Sequence, residues 1–178
     1  MQINLRQRIF IALTIIWMIT IFCFSAEPGD ESSELSGGLS YRLVSIVDDV
    51  FGMHWDESEK SEMVEAMSFP IRKAAHMSEY ALLGILAFAS TVSGKEKARS
   101  IASHKTYIWA LGLVFVYACT DEFHQLFVPG RSGMFTDVLI DTAGGLIGLI
   151  CILIVSKIRA KRSKNGIVNP DKTTDECE

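Results

Sequence analysis

The chain has 178 residues, 49% of them hydrophobic, and carries a formal net charge of −4. Its mean hydropathy is +0.27, and the apolar residues are gathered in blocks, so the composition points to one domain of a membrane protein. Basic residues only flank these blocks and the stretch after the first is acidic, which argues against nucleic acid as a partner.

The first block runs from Ile9 to Phe24, and Ser25 and Ala26 complete it to the roughly 20 residues that a helix needs to cross a bilayer. It has the basic start of a signal peptide. Phe24-Ser25-Ala26, however, puts a large aromatic where a cleavage site needs a small residue, which favours an uncleaved anchor. From Glu27 to Gly38 the chain is rich in Gly, Ser, Pro and acid and reads as irregular. From Leu39 to Phe51, Leu39, Leu43, Val44, Val47, Val50 and Phe51 recur at helical spacing opposite Arg42, Asp48 and Asp49. That pattern predicts an amphipathic helix, lying on the membrane or covering polar groups. A short helix is expected from Ser58 to Met67, ending before Phe69-Pro70, because a residue preceding proline avoids the helical region. Pro70 then suits the first turn of the next helix.

The second block spans Ala74 to Val92, the third Tyr107 to about Val128, and the fourth Val138 to Val155. Residues 1–162 thus form an all-α integral membrane bundle of four transmembrane helices (about 9–26, 74–92, 107–128 and 138–155), with an extracytoplasmic loop between the first two. Residues 163–178 are expected to be a disordered cytoplasmic tail. Arg6, Arg8, Lys95, Lys97, Arg99, Lys105, Lys157, Arg159, Lys161, Arg162, Lys164 and Lys172 fall on one side, twelve of the 17 basic residues. The positive-inside rule assigns that side, with both termini, to the cytoplasm. Cys23, Cys119, Cys151 and Cys177 form no C-x-x-C pair, and a bridge between Cys23 and Cys119 has only their shared outer location behind it.

Ionisable residues interrupt these blocks. Arg72, His76 and Glu79 make one stripe along the second helix. Asp121, Glu122 and Gln125 share a face near the outer end of the third, with His124 at its edge, and Asp137 and Asp141 lie above Gly144 and Gly148 on the fourth. Small residues four apart let membrane helices approach closely, drawing both carboxylates towards their neighbours. Charged groups in hydrocarbon are costly unless paired or functional, so the set is a candidate site in one outer layer. The plainer reading, helix-end residues at the headgroups, holds best for Arg72, Lys73, Asp137 and His124 taken singly. His76, Glu79, Asp121, Glu122 and Asp141 are the acid–base candidates, and Lys73, Gln125, Arg131 and Asp137 the binding candidates. No metal is assigned, since H-x-x-x-H and H-E-x-x-H spacings are lacking, although His76 with the carboxylates is a conceivable ligand set. No cofactor is expected.

The segments R-K-A-A-H-M-S-E-Y-A-L-L-G, D-E-F-H-Q-L-F-V-P-G-R and D-V-L-I-D-T-A-G-G-L-I-G closely resemble signature segments of the VanZ-like membrane proteins. With the first block and its Phe24-Ser25 exit, the resemblance covers about residues 9 to 155. It implies a small four-helix bacterial membrane protein of a family whose name-giving member is associated with resistance to the glycopeptide teicoplanin. It implies no established reaction. His76, Glu79, Asp121, Glu122, Gln125, Arg131, Asp137 and Asp141 are the positions that match. Some relatives carry a phosphotransbutyrylase label, for which this chain has no nucleotide or coenzyme A fold.

Two classes of function stay open. In one, the pocket binds a membrane lipid, a lipid-linked envelope precursor or an antibiotic. In the other it is an intramembrane acid–base enzyme on such an intermediate, with His76 as base, Glu79 or Asp121 orienting it, and Arg131 gripping a phosphate or carboxylate. Membrane lipids or an envelope precursor are the expected partners, a homo-oligomer is admitted, and transport is disfavoured by the absence of an inverted repeat.

Overall fold

The computed structural model describes residues 4–92 and 103–166. Among them the chain is helical, without strands: α1 (Leu5–Ser25), α2 (Gly29–Phe51), α3 (Glu57–Thr91), α4 (His104–Gln125) and α5 (Phe135–Gly166). The basic stretch with Lys95, Lys97 and Arg99 lies outside the described residues, as do residues 167–178 with Lys172 and Cys177. Helix α5 runs on to Gly166 and so takes in the first residues of the expected tail.

Two of the helices, α1 and α5, are long and apolar enough to cross a membrane, over Leu5–Ser25 and Phe135–Arg162. The second and third blocks form the C-terminal half of α3 and most of α4. Their runs are diluted by His76 and Glu79 in one and Asp121 and Glu122 in the other, the same residues that make up the candidate site. Helix α1 begins with a capping box, in which Asn4 accepts the Gln7 N–H at 2.8 Å and the Gln7 side chain accepts the Asn4 N–H at 3.3 Å. Cys23, Cys119 and Cys151 are free, so the Cys23–Cys119 bridge does not form.

The stretch between the first two blocks differs from expectation in two places. Residues 29–38 are helical rather than irregular, because α2 starts directly after Pro28. Its serines turn inward on their own helix: Ser33 donates to the Gly29 carbonyl, Ser36 to Ser32 and Ser40 to Ser36, at 2.7–2.9 Å. The Gly29 N–H, which has no partner within the helix, donates to the Pro129 carbonyl at 3.0 Å. Nor does the chain break at Phe69-Pro70, since α3 is continuous from Glu57 to Thr91 with Pro70 inside it. An internal proline removes a backbone bond at about 3 kcal/mol. The packing of α2 along α3 offsets this cost, with Lys60 Nζ 2.9 Å from Asp48 Oδ2 and Ser68 donating to Ser40 at 3.4 Å.

The amphipathic helix over Leu39–Phe51 is present, but it packs by a different line. Ser40, Val44 and Asp48, four residues apart, are buried, whereas Leu39, Leu43, Val47, Val50 and Phe51 remain exposed. Asp48 belongs to the packed face because Lys60 of α3 neutralises it. The ammonium holds the Asp48 carboxyl below its ordinary value, and Asp48 in turn raises that of Lys60. The contact is therefore complete at neutral pH and is lost as pH falls below the usual Asp value of 3.8 through the lowered one, or rises past the raised Lys value. Asp48→Asn is expected to speed protease cleavage at residues 52–56 several-fold at neutral pH, and acidification should do the same to the wild type. Cleavage unchanged in both cases would show that the ion pair does not hold the hairpin.

Helices α3 and α5 run side by side in the same direction. A Cβ on Gly144 would run into the Met77 backbone and one on Gly148 into that of Ala81, a four-residue step on both helices. Gly84 meets Gly145 the same way, and Gly145 also seats Val114 of α4. The expectation that Gly144 and Gly148 face a neighbour is met, and the neighbour is α3. Above these contacts Ile21, Tyr80, Leu83, Val114, Ala118 and Val138 form a buried cluster that joins α1, α3, α4 and α5. Polar bonds fix α1 to it: Trp17 Nε1 donates to the Glu79 carbonyl at 2.9 Å, and the Tyr117 hydroxyl donates to the carbonyl of Met18.

Candidate functional site

Where α4 ends and α5 begins, the turn at 126–134 and the middle of α3 line a polar cavity of about 90 Å³ that opens to the surface. Helix α3 lines it with Phe69, Arg72, Lys73 and His76, α4 with Glu122 and Gln125, the turn with Gly130–Ser132 and Met134, and α5 with Asp137 and Asp141. All four binding candidates are thus in the wall, together with His76, Glu122 and Asp141. Glu79 and Asp121 are placed one layer behind, among the helices.

The rear layer is a hydrogen-bonded network. Asp121, only 2% exposed, accepts at Oδ2 from the Ser25 hydroxyl at 2.7 Å, the Tyr80 hydroxyl at 3.1 Å and Gln125 Nε2 at 3.3 Å. Gln125 also reaches Ser25 Oγ at 3.3 Å, so α1, α3 and α4 meet on one carboxylate. His76 Nδ1 faces Glu79 Oε2 at 3.6 Å. Those two atoms are buried without a hydrogen-bond partner, and so are Asp121 Oδ1 and Asp141 Oδ2.

The front layer is cross-tied. Lys73 forms an ion pair with Asp137 that joins α3 to the first turn of α5, and Glu122 Oε2 accepts the Met134 N–H at 2.9 Å, fastening the turn to α4. Arg131 ties the turn to α1. Among the described residues it makes no ion pair with the carboxylates; its Nε donates to the Glu27 carbonyl at 3.2 Å and its Nη2 to that of Phe24 at 3.3 Å, at the end of α1. Burial lowers the pKa of this guanidinium, and the nearby charge of Arg72 lowers it further. His124 stands outside the cavity, its ring 4.3 Å from that of Phe22.

Sequence reasoning missed Ser25 and Tyr80 and set Arg72 aside as a helix-end residue. Ser25 and Tyr80 reach Asp121 across 96 and 41 residues of chain, a pairing that spacing along one helix cannot reveal. The available signal was a hydroxyl on each of two other helices at the level of a buried acid. Among the described residues no group of His, Cys, Asp and Glu is arranged to hold a metal ion. Chemically, the site has cations at its rim, carboxylates on its floor, and a histidine with unused nitrogen between them.

The family description VanZ/LLP1 matches residues 10–156. The chain belongs to the VanZ/LLP1 family. Comparison with curated proteins finds no match, and neither does comparison with solved structures. The matched stretch contains every residue of the cavity and of the Asp121 network. Together with the two apolar helices, VanZ/LLP1 membership makes this a membrane protein.

Proposed function

We propose that this VanZ/LLP1 protein spans the cell membrane four times, with both termini cytoplasmic, and binds an envelope amphiphile in its cavity at the outer leaflet. The ligand is a membrane lipid, a lipid-linked envelope precursor or a glycopeptide antibiotic such as teicoplanin, whose capture would contribute to resistance. The basic residues gathered on one side of the blocks support the orientation. The observation that carries the binding reading is Asp141 Oδ2, a buried carboxylate oxygen of a cavity-lining residue with no hydrogen-bond partner among the described residues. Buried polar groups are nearly always satisfied, and a ligand in the cavity would satisfy this one.

Labelling of Ser33→Cys and Ser132→Cys from outside intact cells is expected, with Lys161→Cys labelled only after permeabilisation. The reverse pattern would overturn the orientation. Native mass spectrometry of the purified protein should show a co-purifying amphiphile that Ser132→Trp, which fills the cavity mouth, removes. His76→Ala and Asp141→Asn should abolish the resistance or envelope phenotype at near-normal membrane levels, whereas His104→Ala should be silent. Full activity in both cavity variants would reduce the site to a structural network.

The approach of His76 to Glu79 favours a second reading, an intramembrane acid–base enzyme acting on a lipid-linked intermediate. His76 would take a proton, Glu79 would orient it, and the Asp121 network would hold both in place. Glu79→Gln separates the two readings: an enzyme would keep its ligand and accumulate unconverted intermediate, whereas a binding protein would show no such accumulation.

A further inference from the structure

The two guanidinium groups at the cavity rim are provisioned differently from the lysine and histidine beside them. Lys73 has Asp137, and His76 has Glu79. Among the described residues neither Arg72 nor Arg131 has a carboxylate within ion-pair distance. Arg72 gives Nη1 to the Ser33 hydroxyl at 3.1 Å and lies 5.9 Å over the Phe69 ring, which leaves Nε and Nη2 unused. Arg131 is held by two backbone carbonyls, which orient the plane and leave Nη1 unused. Both line the cavity, and the two like charges are close enough to act on each other.

Among the described residues the rim thus brings together two guanidiniums with no ion-pair partner, and an anion between them would offset their mutual repulsion. We propose that Arg72 and Arg131 form a clamp for the phosphate group of the bound amphiphile, an inference that rests on the cavity being a binding site. Two planar forks meeting one group suit phosphate, which offers several oxygens and up to two charges, better than carboxylate, which one arginine satisfies. The anion sits at the rim, above Glu122 and Asp141, and Glu122 has one oxygen already committed to the Met134 N–H. Beside the arginines the cavity wall includes Phe69 and Met134, both exposed, and Phe135 follows them. This apolar edge is where acyl chains would leave the clamp. Helix α2 takes part as well, because Ser33 fixes Arg72 and Gly29 is bonded to Pro129 beside Arg131.

The test uses the purified full chain in detergent and two short-chain probes that differ by one group, dihexanoyl phosphatidic acid and dihexanoylglycerol. Titration calorimetry should show the phosphate-bearing probe binding at least about tenfold more tightly. That preference should collapse in Arg72→Gln and in Arg131→Gln and survive in part in Arg72→Lys, which keeps the charge without the fork. Arg131→Gln also loses the bonds to α1, so if it fails to fold, Arg72→Gln decides, since among the described residues the one hydrogen bond of its side chain is to an exposed serine. Competition by inorganic phosphate would assign the clamp to the free anion, and failure to compete would assign it to the lipid headgroup. Equal binding of both probes to the wild type, or a preference kept in Arg72→Gln, would overturn the clamp while leaving the cavity as a binding site. Binding of neither probe would overturn both.

Discussion

Gly144→Ala is expected to lower the melting temperature of the purified protein, whereas Gly112→Ala should leave it unchanged or raise it. Both substitutions add one methyl group to a helical glycine. In an open position alanine gains about 0.5–1 kcal/mol through its lower unfolded-state entropy, and Gly112 of α4 has open space around it. At Gly144 the methyl would overlap the Met77 carbonyl, a backbone atom that no rotamer change can move aside. Forcing the helices apart costs about 1–3 kcal/mol by the usual scale of overpacking, which outweighs the propensity gain and reverses the sign. Gly148→Ala, against Ala81, should behave like Gly144→Ala. The effect reaches the site: His76 precedes Met77 by one residue and Asp141 precedes Gly144 by three, so a displaced α5 widens the cavity wall. Binding of any cavity ligand should weaken together with stability. Equal shifts from Gly144→Ala and Gly112→Ala would mean that α3 and α5 do not pack through this face.

The helices that the sequence made legible are those whose signal is carried by the segment itself. Apolar blocks at 9–24 and 138–155 need no partner to be recognised, and both are helices long enough to cross a membrane. The α2–α3 hairpin was misread because its order depends on contact between two segments. Gly and Ser at 29–38 have weak helix propensity, and the segment is tied down by contacts remote in sequence, Gly29 to Pro129 and Ser33 to Arg72. Pro70 reads locally as a boundary, yet the Lys60–Asp48 and Ser68–Ser40 contacts before it and the Arg72–Ser33 hydrogen bond after it hold α3 along α2 across that point. For the site, the structure brings all nine candidates to the cavity wall or directly behind it. Their connectivity was not readable. Arg131 bonds to main-chain carbonyls, which every residue possesses, and Asp121 gathers hydroxyls from helices far away in sequence.

Lys73 and Asp137 should show a large loss when separated and a recovery when removed together. Their side chains are 19% and 12% exposed, so each charge depends mainly on the other for solvation. Removing one partner of a buried pair typically costs about 3–5 kcal/mol, because the remaining charge is left uncompensated. The residual access to solvent places this pair at the lower end. Asp137 has a further support that Lys73 lacks: it occupies the first turn of α5, where the helix dipole favours a carboxylate. Asp137→Leu should therefore be more damaging than Lys73→Met, which leaves Asp137 on that dipole. The double substitution replaces the pair by apolar side chains and should regain most of the lost stability. If the pair only ties α3 to α5, the double variant also recovers ligand binding. If Lys73 or Asp137 contacts the ligand, stability returns without binding, and thermal melting followed by titration on the same preparations separates the two. Additive losses in the double variant would show that the two side chains are solvated independently and that their ion pair does not organise the cavity.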